Sequence, residues 1–95
     1  MEQLTDDDVF TQTDQVVFRD FEPGKGAALL LLDTGAYHGV NDVGARVWHL
    51  LDGERSVGAV IRQLQLDVPD APAEVADDVR RFLADLETRS LVRRS

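Results

Sequence analysis

Cysteine is absent from this chain of 95 residues, which removes both a disulfide framework and any thiolate metal site. Basic residues are scarce: 10 Lys and Arg stand against 18 Asp and Glu, for a net charge of −8. Such a surface repels a phosphate backbone, so nucleic acid is not an expected partner. Long apolar runs are missing too. Ala27 to Leu32 is the longest aliphatic stretch, far short of the roughly 20 residues a membrane span needs. The N-terminus carries Asp6, Asp7 and Asp8 where a signal peptide needs bases and an apolar segment. A cytoplasmic protein with no membrane association is therefore expected.

Catalytic chemistry is equally thin. The only histidines, His38 and His49, lie eleven residues apart with no second histidine one helical turn away, so no metal site is expected. Neither a Cys nucleophile nor a G-x-S-x-G turn is present, and Ser56, Ser90 and Ser95 read as a helix cap and a terminal turn. Gly24 and Gly26 imitate a phosphate loop, but an aliphatic strand follows them instead of a helix N-terminus. A chain this short buries only about two-thirds of its extended surface, leaving little room for an enclosed active site. A binding module without cofactor is the expectation.

What is present divides into a strand-like front and a helical back. Residues 1–14 are polar and acidic and read as a flexible arm, leaving 15–95 as the domain. Val16 to Phe21 is β-branched and aromatic and stops at Pro23-Gly24-Lys25-Gly26; Ala27 to Leu32 is a buried strand; Gly35 suits a tight hairpin; Ala36 to Val40 completes an antiparallel meander. On that last strand Tyr37 and Gly39 share one face, and Ala36, His38 and Val40 the other.

From Asn41 the period changes to 3.6. Val43, Val47, Trp48 and Leu51 form one helical face, with Asn41 as its cap and Gly53 as its end, and Trp48 as a core anchor. Ser56 caps a second helix marked by Val57, Val60, Ile61 and Leu64. The third has Pro72 in its first turn, a stripe of Val75, Val79, Phe82, Leu83 and Leu86, and acid-first pairs Asp77 to Arg81 and Asp85 to Arg89. Asp77, Asp78, Asp85 and Glu87 read chiefly as a solvated face, although Asp78 borders the stripe on one line with Phe82 and Asp85.

Three blocks together carry a resemblance: Leu32-Asp33-Thr34-Gly35-Ala36-Tyr37 to Val40-Asn41, then Val47-Trp48-His49-Leu50-Leu51-Asp52-Gly53, then Asp78-Val79-Arg80-Arg81-Phe82-Leu83 with Leu86 and Leu91-Val92. Over roughly residues 15–92 the chain resembles the PqqD-like family. The resemblance implies an α+β, winged helix-turn-helix-like domain with a three-stranded antiparallel sheet followed by three helices. It implies a monomeric, non-catalytic adaptor that binds the leader segment of a ribosomally made precursor peptide and passes it to a separate enzyme.

In that family the leader adds as a strand to the third strand, beside the third helix. The carry-over gives Tyr37, His38 and Gly39 for main-chain pairing and Asp78, Phe82 and Asp85 for side-chain contacts. A short stand-alone chain resembles the lasso-peptide subgroup, which serves a leader peptidase; the pyrroloquinoline-quinone pathway member is the alternative. Gly44 and Gly58 depart from the family pattern, each costing about 0.5–1 kcal/mol in a helix. A DNA-binding winged helix has a compatible element order. Its recognition helix would carry Asp70, Glu74, Asp77, Asp78, Asp85 and Glu87 against only Arg80 and Arg81, the wrong charge for a major groove.

Overall fold

The computed structural model describes residues 4–21 and 25–94. The front half forms the expected meander: β2 (Val16–Asp20), β3 (Ala27–Leu31) and β4 (Tyr37–Val40) pair antiparallel in that order. Gly35 closes the β3–β4 hairpin at φ 76°, a conformation that suits glycine. Of the expected turn before β3, Pro23 and Gly24 lie outside the described residues. Gly26 packs so close to Val40 that a Cβ there would collide with the Val40 carbonyl oxygen.

Three helices follow. Asn41 caps α1 (Asp42–Leu50), its Oδ1 accepting from the Gly44 N–H at 2.8 Å. Asp42 ties this helix to the sheet by accepting from the Gly26 N–H at 3.0 Å. Ser56 caps α2 (Val57–Asp67) through the Ala59 N–H. The longest helix, α3 (Val75–Thr88), has Asp77 and Asp78 in its first turn, where the helix dipole favours acids.

Several boundaries differ from the sequence reading. Gly53 does not end α1: the helix is capped at Leu51, and Gly53 lies within a strand, β5 (Asp52–Ser56). Pro72 precedes α3 instead of occupying its first turn, and its carbonyl accepts from the Val75 N–H. Asp77 pairs one position nearer than expected, with Arg80 instead of Arg81, which pairs with Asp78, whereas Asp85 and Arg89 pair at i,i+4 as expected.

The largest correction concerns the segment expected as a flexible arm. Val9–Gln12 is a strand, β1, and it is the central one of a second sheet between β5 and β6 (Val92–Arg94). Phe10 from it is 1% exposed, with the Arg94 guanidinium 5.6 Å from its ring centroid. Arg80 holds Asp6 through two hydrogen bonds, and Arg94 holds Asp8 at 3.1 Å. Residues 5–12 are therefore stitched into the domain. Residues 1–3 lie outside the described residues.

One core joins the two sheets and the helices. Leu29, Val47, Trp48, Leu64, Leu83 and Leu86 are all buried in it, each worth about 1.5–3 kcal/mol of apolar burial. Trp48 is the expected anchor at 2% exposure, and its carbonyl also accepts from the Gln12 side chain at 2.7 Å.

Candidate functional site

β4 is the outermost strand of its sheet, so one side of its backbone has no partner strand among the described residues. Which groups face outward follows from the ladder. The Leu31 N–H donates to the Ala36 carbonyl at 2.8 Å, and hydrogen-bonded pairs alternate along an antiparallel ladder, so Leu29–His38 and Ala27–Val40 are the next bonded pairs. The opposite side of β3 agrees. Leu32 donates to Gln15 and Phe21 donates to Gly26, which assigns Leu30 and Ala28 to β2. The N–H and C=O groups of Tyr37 and Gly39 therefore point to the open edge, whereas those of His38 are engaged with Leu29.

Side chains alternate in the complementary sense. His38 and Val40 face the helices, half-buried and buried, while Tyr37 stands 74% exposed on the outer face beside Gly39. A Cβ at Gly39 would meet nothing within 4 Å, so the outer face is open at that point.

Across from β4 runs α3. His38 Nε2 lies 3.8 Å from Asp85 Oδ2, and Asp85 also accepts from Arg89 at 3.1 Å. Two cavities lie along α3, one against α1 and one against β3 and β4 near its C-terminal end. One cavity, of about 260 Å³, is lined by Asn41, Val43, Gly44 and Val47 on one side and by Pro72, Val75, Asp78, Val79 and Phe82 on the other. The second, of about 240 Å³, lies among Leu29, Leu31, Ala36, Tyr37, His38, Arg89 and Leu91.

The six sequence-derived residues lie on β4 and α3, which the His38–Asp85 contact brings together. Tyr37 and His38 border the second cavity, Asp78 and Phe82 the first, and Asp85 stands between them; Gly39 lies on the open edge. Phe82 is half-buried, fitting a cavity wall better than a core position. Asp78 is exposed and bonds Arg81 at 3.3 Å, a surface pair that water competes for.

Sequence reasoning missed the rest of the lining. Asn41, Val43 and Gly44 were legible only as a cap and a helix start, and Ala36, Arg89 and Leu91 converge through tertiary packing. The one available signal was Leu91, an apolar residue just beyond a helix end. Among the described residues no three His, Asp or Glu side chains converge to hold a metal ion.

Residues 26–92 match the family model described as coenzyme PQQ synthesis protein D (PqqD). The chain belongs to the PqqD family. It is 40% identical over 63 residues to a PqqA binding protein of Pseudomonas entomophila, an alignment covering 66% of this chain and 67% of the relative. A PqqA binding protein 1 of Pseudomonas putida is 36% identical over the same shares of the two chains. Among solved structures, "TbiB1 in Complex with the TbiA(beta) Leader Peptide" superposes with a TM-score of 0.70 at 28% identity, covering 86% of this chain and 93% of that one. The PqqD match begins at Gly26, so it includes β3, β4 and all three helices, the elements that build the groove.

Proposed function

We propose that this protein is a non-catalytic adaptor that binds the leader segment of a ribosomally made precursor peptide and presents it to a separate processing enzyme in the cytoplasm. The observation that carries this reading is the open edge of β4 beside a groove with apolar ends. An exposed edge strand invites aggregation unless a function uses it. Strand addition gives main-chain affinity while pockets beside the strand read side chains.

In this role Tyr37 and Gly39 supply main-chain pairing. His38 and Asp85 line the middle of the groove, Phe82 forms a wall of its larger end, and Asp78 offers a carboxylate at the rim. The solved relative was captured with a leader peptide, which supports the class of ligand. The resemblance of a short stand-alone chain to the lasso-peptide subgroup favours a leader peptidase as the receiving enzyme. The curated relatives favour a second reading, since they are named for binding PqqA: presentation of that precursor in pyrroloquinoline-quinone synthesis.

Titration of the monomeric protein by fluorescence anisotropy tests both. The probes are the synthetic leader of the precursor encoded beside its gene, a PqqA peptide, and a random DNA duplex. The expected result is a micromolar or tighter complex with the neighbouring leader, about 8 kcal/mol, and none with DNA. Tighter binding of PqqA would favour the second pathway, and DNA binding without peptide binding would overturn the adaptor reading.

A further inference from the structure

We propose that the groove reads its peptide in a fixed frame. Large apolar side chains at the first and fifth positions of a five-residue extended stretch fill the two ends, and a small or polar side chain at the third lies over the His38–Asp85 contact. This rests on the strand-addition reading above and specifies which peptides satisfy it.

The frame follows from the ladder. Only Tyr37 and Gly39 turn their N–H and C=O groups to the open edge, so an added strand is locked to that pair and cannot slide by one residue without losing its bonds. Side chains of the added strand then alternate between the two faces of the sheet. Those lying across from Ala36, His38 and Val40 enter the groove, and those across from Tyr37 and Gly39 stay on the outer face.

The three inward positions meet different surroundings. Ala36 borders the smaller cavity, with Leu29, Leu31 and Leu91 supplying apolar walls. Beyond Val40 the chain passes into Asn41, which lines the larger one, and the Gly44 backbone there leaves room for both Val40 and Phe82. Between them the His38–Asp85 contact, with Arg89 on the same carboxylate, leaves a polar waist.

Positions across from Ala36 and Val40 are four residues apart, roughly 13 Å in an extended chain. A cavity of about 150 Å³ suffices for a benzene ring, so both ends, at about 260 and 240 Å³, admit a leucine or phenylalanine side chain. The second and fourth peptide positions project over open surface, where Gly39 offers no side chain to contact.

Two labelled peptides of one composition test the frame against the full chain. Lys-Thr-Leu-Thr-Ser-Thr-Leu-Thr-Lys has leucines four apart; Lys-Thr-Leu-Thr-Ser-Leu-Thr-Thr-Lys has them three apart. Anisotropy should show at least ten-fold tighter binding of the first. A second variant checks the site: Ala36→Glu, at an exposed position, should weaken the four-spaced peptide at least five-fold with an unchanged melting temperature, and exchanging one terminal-side leucine of that peptide for lysine should recover the loss. Equal binding of the two peptides, no binding of either, or indifference to Ala36→Glu overturns the frame. A protein that binds its neighbouring precursor leader yet fails these tests keeps the adaptor role and loses only the frame.

Discussion

Gly44 of α1 and Phe82 of α3 meet at the larger end of the groove: a methyl group at position 44 would sit 3.2 Å from Phe82 Cζ and 3.1 Å from Val40 Cβ. The glycine that departs from the family pattern thus keeps a helix interior thin where strand, helix and cavity join. Gly44→Ala gains about 0.5–1 kcal/mol of helix propensity and incurs overpacking of about 1–3 kcal/mol, so net stability falls by no more than about 2.5 kcal/mol. Because Phe82 is half-buried, it yields before Val40 does and turns into the cavity. The expected outcome is a protein that still unfolds cooperatively, with a clear loss of affinity for the leader, measured on one preparation.

Trp48 is 2% exposed and sits against the β1 connection through Gln12. Removing a buried aromatic of this size costs about 3–5 kcal/mol, a large part of the stability of a small domain. Trp48→Ala should therefore shift urea unfolding to much lower midpoints or abolish a cooperative transition. Intact stability with lost peptide binding would show instead that Trp48 acts in recognition.

The elements legible in the sequence were those whose signals are local. Asn41 and Ser56 announce helix starts by side-chain chemistry within three residues, and Val75, Val79, Leu83 and Leu86 mark the α3 stripe by spacing alone. The second sheet gave no such signal. Its central strand pairs Thr11 with Asp52 on one side and Phe10 with Arg94 on the other, so its partners are distant in the chain. β5, Asp-Gly-Glu-Arg-Ser, contains no apolar residue and reads as a loop. The groove was half legible for the same reason. Tyr37, His38 and Gly39 are consecutive and Asp78, Phe82 and Asp85 lie on one helical line, whereas Ala36 and Leu91 become neighbours only after folding.

The N-terminal clasp has a defined pH dependence. Arg80 donates two hydrogen bonds to the Asp6 carboxylate and holds its pKa below the ordinary 3.8. A group depressed in the folded state contributes stability that is present above its unfolded pKa and lost as pH falls through its folded one. The wild-type protein should therefore melt above Asp6→Asn at pH 5–7, and the gap should close as pH drops below about 3.8. Melting curves of both proteins across that range check it, and a gap that persists at pH 2 would assign the difference to packing instead of charge.

Asp78 and Asp77 provide the comparison that locates the recognition surface on α3. They are adjacent and both exposed, and each bonds an arginine one turn on, Asp78 with Arg81 at 3.3 Å and Asp77 with Arg80 at 3.0 Å. Exposed pairs of this kind contribute about 0.2–1 kcal/mol, so neither Asp78→Ala nor Asp77→Ala should unfold the protein. Only Asp78 borders the cavity with Val79 and Phe82. A carboxylate there is partly shielded from water once a peptide lies over it, and its removal should weaken leader binding by about 1–3 kcal/mol. Asp77→Ala should leave binding within about two-fold, a few tenths of a kcal/mol. Tyr37→Ala adds a third point. Its side chain is exposed on the outer face of the sheet, and the main chain that would pair with the leader is retained in alanine, so the variant should bind leader nearly as well as the wild type. Anisotropy titrations of the three variants against one leader separate the cases. Equal losses for Asp78→Ala and Asp77→Ala would mean that long-range charge drives the effect, and a large loss for Tyr37→Ala would move recognition to the outer face of the sheet.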